Sequence, residues 1–205
     1  MSRQTSPKAI EPRQTRAIAT RARLLEVVET IVAEDGADAV TTTRVATEAG
    51  TAVGTIYRYF EDRDAMLLGA YDATVTRLVA ACHEALDGMP DAMAMDEAAR
   101  HLLDVYLDAA ERLPAHSGLL NAMRQLRAVK DDQDPENSQI LTELIAPFLA
   151  RFAPEAVMEP LRVRMVGAVL ITLVDLYLVT PDVRERTLVR TELEAHLLFM
   201  LTRLI

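Results

Sequence analysis

A chain of 205 residues, half of them hydrophobic, with 4% aromatics and no tryptophan, has material for one large core or for a small unit joined to a larger one. Scarce glycine and abundant Ala, Leu, Val, Glu and Arg favour helices packed on helices and disfavour sheets. The formal net charge of −9 and the one cysteine, Cys82, exclude a uniformly basic coat for nucleic acid and an intrachain disulfide. A reducing cytoplasm fits that cysteine usage, and the polar N-terminus predicts no secretory signal.

The charge is unevenly placed. Residues 1–25 hold six basic side chains (Arg3, Lys8, Arg13, Arg16, Arg21, Arg23) against one acid, Glu11. Residues 26–63 hold three basic and eight acidic side chains, and residues 64–205 hold 13 basic and 22 acidic. A basic arm ahead of an acidic body predicts local, positioned contact with phosphates.

In chain order, residues 1–15 are polar, with two prolines, and predict a disordered arm. Helical periodicity starts near Thr15, with Leu24, Val27, Val28, Ile31 and Val32 on one face, and Gly36 stops it. Thr41-Thr42-Thr43 predict an N-cap for a short helix that Gly50 ends. A second short helix is predicted over 53–60 after a tight connection. Asp62 then caps a long helix with Leu68, Tyr71, Val75, Leu78, Val79, Cys82 and Leu86 along one side, ended by Gly88-Met89-Pro90. Five more helices are predicted at 95–112, 116–130, 137–152, 155–179 and 183–204. The breaks between them carry Pro114, the Asp131–Pro135 run, Pro154 and Pro181. Val166 to Val174, followed by Asp175, is the longest apolar run. It is short and interrupted by a carboxylate, so it predicts a buried core helix and no membrane span.

On a helical wheel, Ile56 and Phe60 form the inward face of 53–60. Val53 and Tyr57 flank that face on one side and Tyr59 on the other, while Gly54, Thr55 and Arg58 point outward. That outward surface suits a DNA groove. Gly54 lets backbone approach phosphate, Thr55 can meet phosphate or a thymine methyl, and Arg58 can reach phosphate or guanine. The tyrosine hydroxyls either bond phosphates or form the wet edge of core packing. His83, His101, His116 and His196 form no HxxxH or HExxH pair, so no metal site is predicted. No nucleophile elbow, phosphate loop or carboxylate cluster is present, so no catalysis is predicted.

The stretch from Thr42 to Leu67, with Gly50 followed by Val53-Gly54-Thr55-Ile56-Tyr57-Arg58-Tyr59-Phe60 and a basic residue at 63, closely resembles the DNA-binding segment of TetR-family regulators. The resemblance is specific over about residues 16–68. It implies an all-α fold of three DNA-binding helices and a six-helix body that holds a ligand cavity and dimerises through its last two helices. The chain then divides into an arm at 1–15, a helix-turn-helix unit at 16–61 and a ligand-binding and dimerisation body at 62–205. By resemblance, Thr42 and Thr43 open the first helix of the motif and touch DNA, and Val53, Gly54, Thr55, Tyr57 and Tyr59 belong to the recognition helix. Arg63 stands where lysine usually contacts phosphate. Thr51-Ala52 departs from the common Val-Ser, which removes a serine phosphate contact at 52.

The function implied is a homodimeric repressor in the cytoplasm. It binds double-stranded DNA at a palindromic operator and is released by a small, largely apolar effector, with no cofactor. A ligand-independent or activating regulator is the alternative. Candidate pocket residues are Tyr106, Met123, Leu126, Phe148, Phe152, Leu170 and Tyr177. Asp175, within an apolar helix, needs a partner such as Arg124 or Arg127, either as an interhelix ion pair or as a pocket anchor. Met89, Met93 and Met95 suit either adaptable apolar binding or a solvent-side loop. Leu193, Leu197, Met200, Leu201 and Leu204, with Gly167 and Ala168 admitting a close helix, fit either the intrachain core or a four-helix interface across a two-fold axis.

Overall fold

The computed structural model describes residues 12–126, 139–154 and 160–202. Residues 1–11 of the expected arm lie outside the described residues, as do Arg127 and Leu204. Within them the chain forms nine α-helices, a 3-10 turn and a π-helical turn, and no strand.

α1 (Pro12–Asp35) is already helical three residues ahead of the expected start. It buries Leu24, Leu25, Val28, Ile31 and Val32, and Gly36 turns the chain at φ 82°. The 3-10 turn Ala37–Ala39 leads to α2 (Thr42–Glu48), which Thr41 caps by accepting from the Arg44 amide at 3.1 Å. Gly50, at φ 61°, sits where an L side chain is disfavoured. The Gly50 amide donates to Thr47 O at 3.1 Å and the Thr51 amide to Ala46 O at 2.9 Å, which closes α2 and aims the chain into α3 (Val53–Ile56). The expected helix over 53–60 is thus one regular turn. It continues as a tighter turn in which the Arg58 and Tyr59 amides each reach back three residues.

Asp62 caps α4 (Arg63–Gly88), accepting from the Ala65 amide at 2.8 Å. At the far end Arg151 donates to Leu86 O at 2.5 Å and Met89 O at 2.6 Å, covering carbonyls the helix leaves open. α5 (Met95–Glu111) and α6 (His116–Leu126) follow. The predicted helix over 137–152 is a π-helical turn, Ile140–Ile145, running into α7 (Ala146–Phe152). Pro147 explains the break in the ladder. It has no N–H to give the Glu143 carbonyl, and His83 Nε2 donates to that carbonyl instead. α8 (Pro160–Val179) and α9 (Val183–Thr202) complete the chain, with Asp182 Oδ1 accepting from the Arg184 and Glu185 amides at 2.9 Å.

Two apolar cores result. The first joins α1, α2, α3 and the N-terminal part of α4 to α6. The second joins the C-terminal part of α4 to α5, the 140–152 segment and α9, with α8 partly buried against it. Among the described residues α4 is the one helix long and apolar enough to cross a membrane by length and composition, and its apolar side chains are packed into these two cores.

For the last helices one open reading narrows and one expectation is corrected. Of the two readings for Leu193, Leu197, Met200 and Leu201, the intrachain core holds, since all four are buried within this chain. The apolar run of α8 is not wholly buried. Met165 is 62% exposed, and Val169 and Leu176 are also open, because only one face of α8 meets the body. Gly167 does admit a close neighbour, but that neighbour is Leu141 of the same chain, whose Cδ2 occupies the space an added Cβ would need.

Candidate DNA interface and effector cavity

The N-terminal helices place the predicted DNA-facing residues unequally. Ile56 and Phe60 are buried, as the wheel requires. Gly54, Tyr57, Arg58 and Thr43 are exposed, while Thr42, Val53, Thr55 and Tyr59 are half-buried. Val53 and Tyr59 pack partly against the first core, so Tyr59 offers its edge and Tyr57 its whole ring. Arg58 makes no ion pair among the described residues, leaving its guanidinium available.

Four other cations near this surface are tied down. Arg44 bonds Asp35 at 2.6 Å and Glu48 at 2.7 Å, bracing α2 against the end of α1. Arg23 donates to Ala49 O, and Arg21 lies over the Phe60 ring at 5.4 Å. Arg63, expected by resemblance to contact phosphate, is engaged within the chain. Its Nε donates to Val40 O at 3.0 Å and its Nη2 to Ala37 O at 2.9 Å, with Asp64 at 3.3 Å from Nη1. The guanidinium fork fits the carbonyls of the turn before α2, so Arg63 locks the start of α4 to that turn.

In the body, a cavity of about 130 Å³ lies between α5, the π-helical turn, α7, α8 and α9. Of the predicted lining residues, Tyr106, Phe148, Leu170 and Asp175 face it. The others do not. Met123 belongs to the first core, Leu126 is at the exposed end of α6, and Phe152 packs behind Phe148 with ring centroids 5.1 Å apart. Tyr177 donates to Glu111 at 2.8 Å in a separate groove beneath Arg186. Met89 is buried, and Met93 and Met95 pack partly on the second core, so the methionine cluster is not a solvent-side loop. Sequence reading missed Ala99, Leu102 and Leu103, which share a face of α5 with Tyr106 at helical spacing. It also missed Leu193, Leu197 and Leu201 of α9 as lining.

Asp175 receives Arg124 Nη2 at 2.9 Å, which makes the interhelix pair one of the two readings left open by the sequence. The same carboxylate faces the cavity, so the pair also supplies its polar end. Burial, with Asp175 adding to it, pushes the Tyr106 phenol well above its ordinary range.

Comparison with known proteins gives this geometry its relatives. Residues 24–70 match the sequence profile of the bacterial regulatory proteins of the tetR family. Over those residues the chain is similar to the DNA-binding segment of TetR-family regulators. Likeness of fold extends beyond that segment. A TetR transcriptional regulator from Rhodococcus sp. RHA1 is 16% identical with a TM-score of 0.64, the match covering 90% of this chain and 96% of that one. A TetR-family regulator from Streptomyces coelicolor is 20% identical with a TM-score of 0.63, covering 91% and 99%. AlkX, a TetR-family repressor of a Dietzia strain implicated in biodegradation of n-alkanes, is 16% identical with a TM-score of 0.60, covering 89% and 95%. The nucleoid occlusion factor SlmA of Shewanella woodyi is 30% identical over 101 residues, 49% of this chain. The chain spans about half the length of that curated relative. Residues 24–70 thus carry the likeness to bacterial regulatory proteins, and the rest of the chain shares their fold.

Proposed function

We propose that this protein is a homodimeric cytoplasmic repressor that leaves a near-palindromic operator when a small, largely apolar molecule enters the body. The observation that carries the DNA part is the outward set on the second helix of the motif: Gly54 with no side chain, Tyr57 exposed, and Arg58 without an internal partner. Thr42, Thr43, Val53, Thr55 and Tyr59 complete the proposed contact surface. Arg63 positions it through the Ala37–Val40 turn.

The dimer reading rests on the open apolar face of α8 and α9. Met165, Val169 and Leu176 form a stripe at spacings of four and seven, and Phe199 on α9 is 60% exposed. An exposed apolar stripe of this kind suits an isologous four-helix contact. A two-fold axis would bring two recognition helices to successive major grooves.

Release rests on the cavity and on α4. The cavity wall on α5 packs against α4 through Leu102, Leu103 and Cys82, and α4 begins at the DNA-binding head. An effector that fits a shifted α5 better than the resting one moves the equilibrium between head positions by that difference in affinity. DNA footprinting on the promoter beside its own gene tests the proposal. A protected near-palindrome that opens on addition of effector supports it, and absence of any protected palindrome refutes local repression.

A further inference from the structure

The cavity is apolar along its walls and polar at one end, where Tyr106 and Asp175 face it. Tyr106 is 7% exposed, and its hydroxyl bonds no side chain or backbone group among the described residues. That hydroxyl opens onto the cavity, where a polar group of a bound molecule would give it a partner. Asp175, with its side chain 13% exposed, already bonds Arg124, so its charge is offset at the cavity mouth.

We propose that the cavity takes a compact, uncharged, hydroxylated apolar molecule, a one-ring phenol or an alcohol of similar size, whose oxygen accepts the Tyr106 hydroxyl proton and whose own proton turns toward Asp175. The assignment rests on reading the body as the effector site. Three observations select this class. The volume of about 130 Å³ is close to that of the roughly 150 Å³ apolar cavities that hold benzene. The phenol of Tyr106 is held protonated, so it offers a donor at physiological pH. Asp175 offers only acceptors, so one group able to accept and donate satisfies both ends.

The rival classes fit less well. A hydrocarbon leaves the Tyr106 hydroxyl unpartnered. A carboxylate would face the Asp175 carboxylate, with Arg124 already engaged by it. An ammonium would lose its hydration in a chamber lined by Leu103, Leu144, Phe148 and Leu170.

Calorimetric titration of the full-length protein with phenol, toluene, benzoate and benzylamine tests this. Phenol should bind about tenfold tighter than toluene, as one net hydrogen bond gives, and benzoate and benzylamine weaker than either. Tyr106→Phe should bring phenol down to the level of toluene while leaving toluene within about twofold. An unchanged thermal melt of the variant confirms that its cavity stands. Equal affinity for phenol and toluene, a preference for either charged probe, a phenol preference that survives Tyr106→Phe, or no binding at all overturns the assignment. The repressor reading is tested separately. If phenol binds as described and the footprint does not change, effector release fails and the cavity assignment stands. If the footprint responds to another molecule and phenol does not bind, the reverse holds.

Discussion

Arg44, Arg58 and Arg63 lie within twenty residues of one another and stand in three different environments. Hydrogen bonds donated to Glu48 and then to Asp35 hold the Arg44 guanidinium above its ordinary value. Arg63 is bound to two turn carbonyls, and Arg58 is open to solvent. Arg63→Ala should therefore lower unfolding stability by about 1–2 kcal/mol in urea titration, because two carbonyls lose a charged donor. Tyr57→Ala and Arg58→Ala should leave stability within about 0.5 kcal/mol and weaken operator binding in gel-shift assays. Unchanged operator binding by both would mean that the recognition surface lies elsewhere. In sequence the outward arc of 53–60 was legible, because helical period alone sorts Ile56 and Phe60 from Arg58. The role of Arg63 was not, because its partners are 23 and 26 residues back in the chain.

His116 was legible only as a histidine outside any ligand pair. It proves to be buried between α4 and α6, stacked on Tyr71 with ring centroids 5.9 Å apart. Thr74 donates its hydroxyl to Tyr71 O at 2.7 Å and so accepts from His116 Nδ1 at 2.8 Å. Burial, helped by the Arg77 charge, lowers the imidazole from 6.5 to about 4. The unfolded chain takes up this proton at higher pH than the folded one. The stabilisation is then complete above pH 6.5 and is lost as the pH falls from 6.5 toward 4, by about 3 kcal/mol at most. Urea midpoints across that window should fall for the native protein and fall less steeply for His116→Gln. Parallel slopes would show that other groups set the acid sensitivity.

At the scale of elements, capping residues made helix ends readable. Thr41, Asp62 and Asp182 each accept from an amide two or three residues on, and Gly36 and Gly50 take the positive φ that a turn requires. Gly50→Ala should cost about 1–2 kcal/mol, the strain of a side chain at φ 61°. Because Gly50 aims the recognition helix, the same change should lower operator affinity more than it lowers the melting temperature. A variant with native affinity would show that the turn tolerates the strain without moving α3. The apolar set of α9 was legible, but what it packs against was not. Its sequence has apolar residues around much of its circumference, and only packing against α5 and α8 decides that Leu193, Leu197 and Leu201 turn in while Leu188 and Phe199 turn out. The π-helical turn was hidden for a similar reason. Pro147 signals a missing bond, but its replacement comes from His83, on another helix.

At the scale of the molecule, the open stripe on α8 predicts association. Val169→Glu should convert a dimer to a monomer in sedimentation experiments, with helix content retained, because Val169 is exposed and supports no internal core. Operator affinity should fall sharply with it, as two half-sites are no longer read together. A variant that still sediments as a dimer would place the interface elsewhere.

α4 belongs to both cores. Met66, Leu67 and Ala70 are sealed in the first, and Leu78, Cys82 and Leu86 in the second. The amides between Met66 and Leu86 should therefore be among the slowest in the protein to exchange with heavy water, opening only when the entire fold opens. Cutting the chain between 61 and 62 would not free a DNA-reading module. It would remove the hydrophobic wall on which α1 folds, leaving a fragment that reads the right letters and has no shape with which to read them.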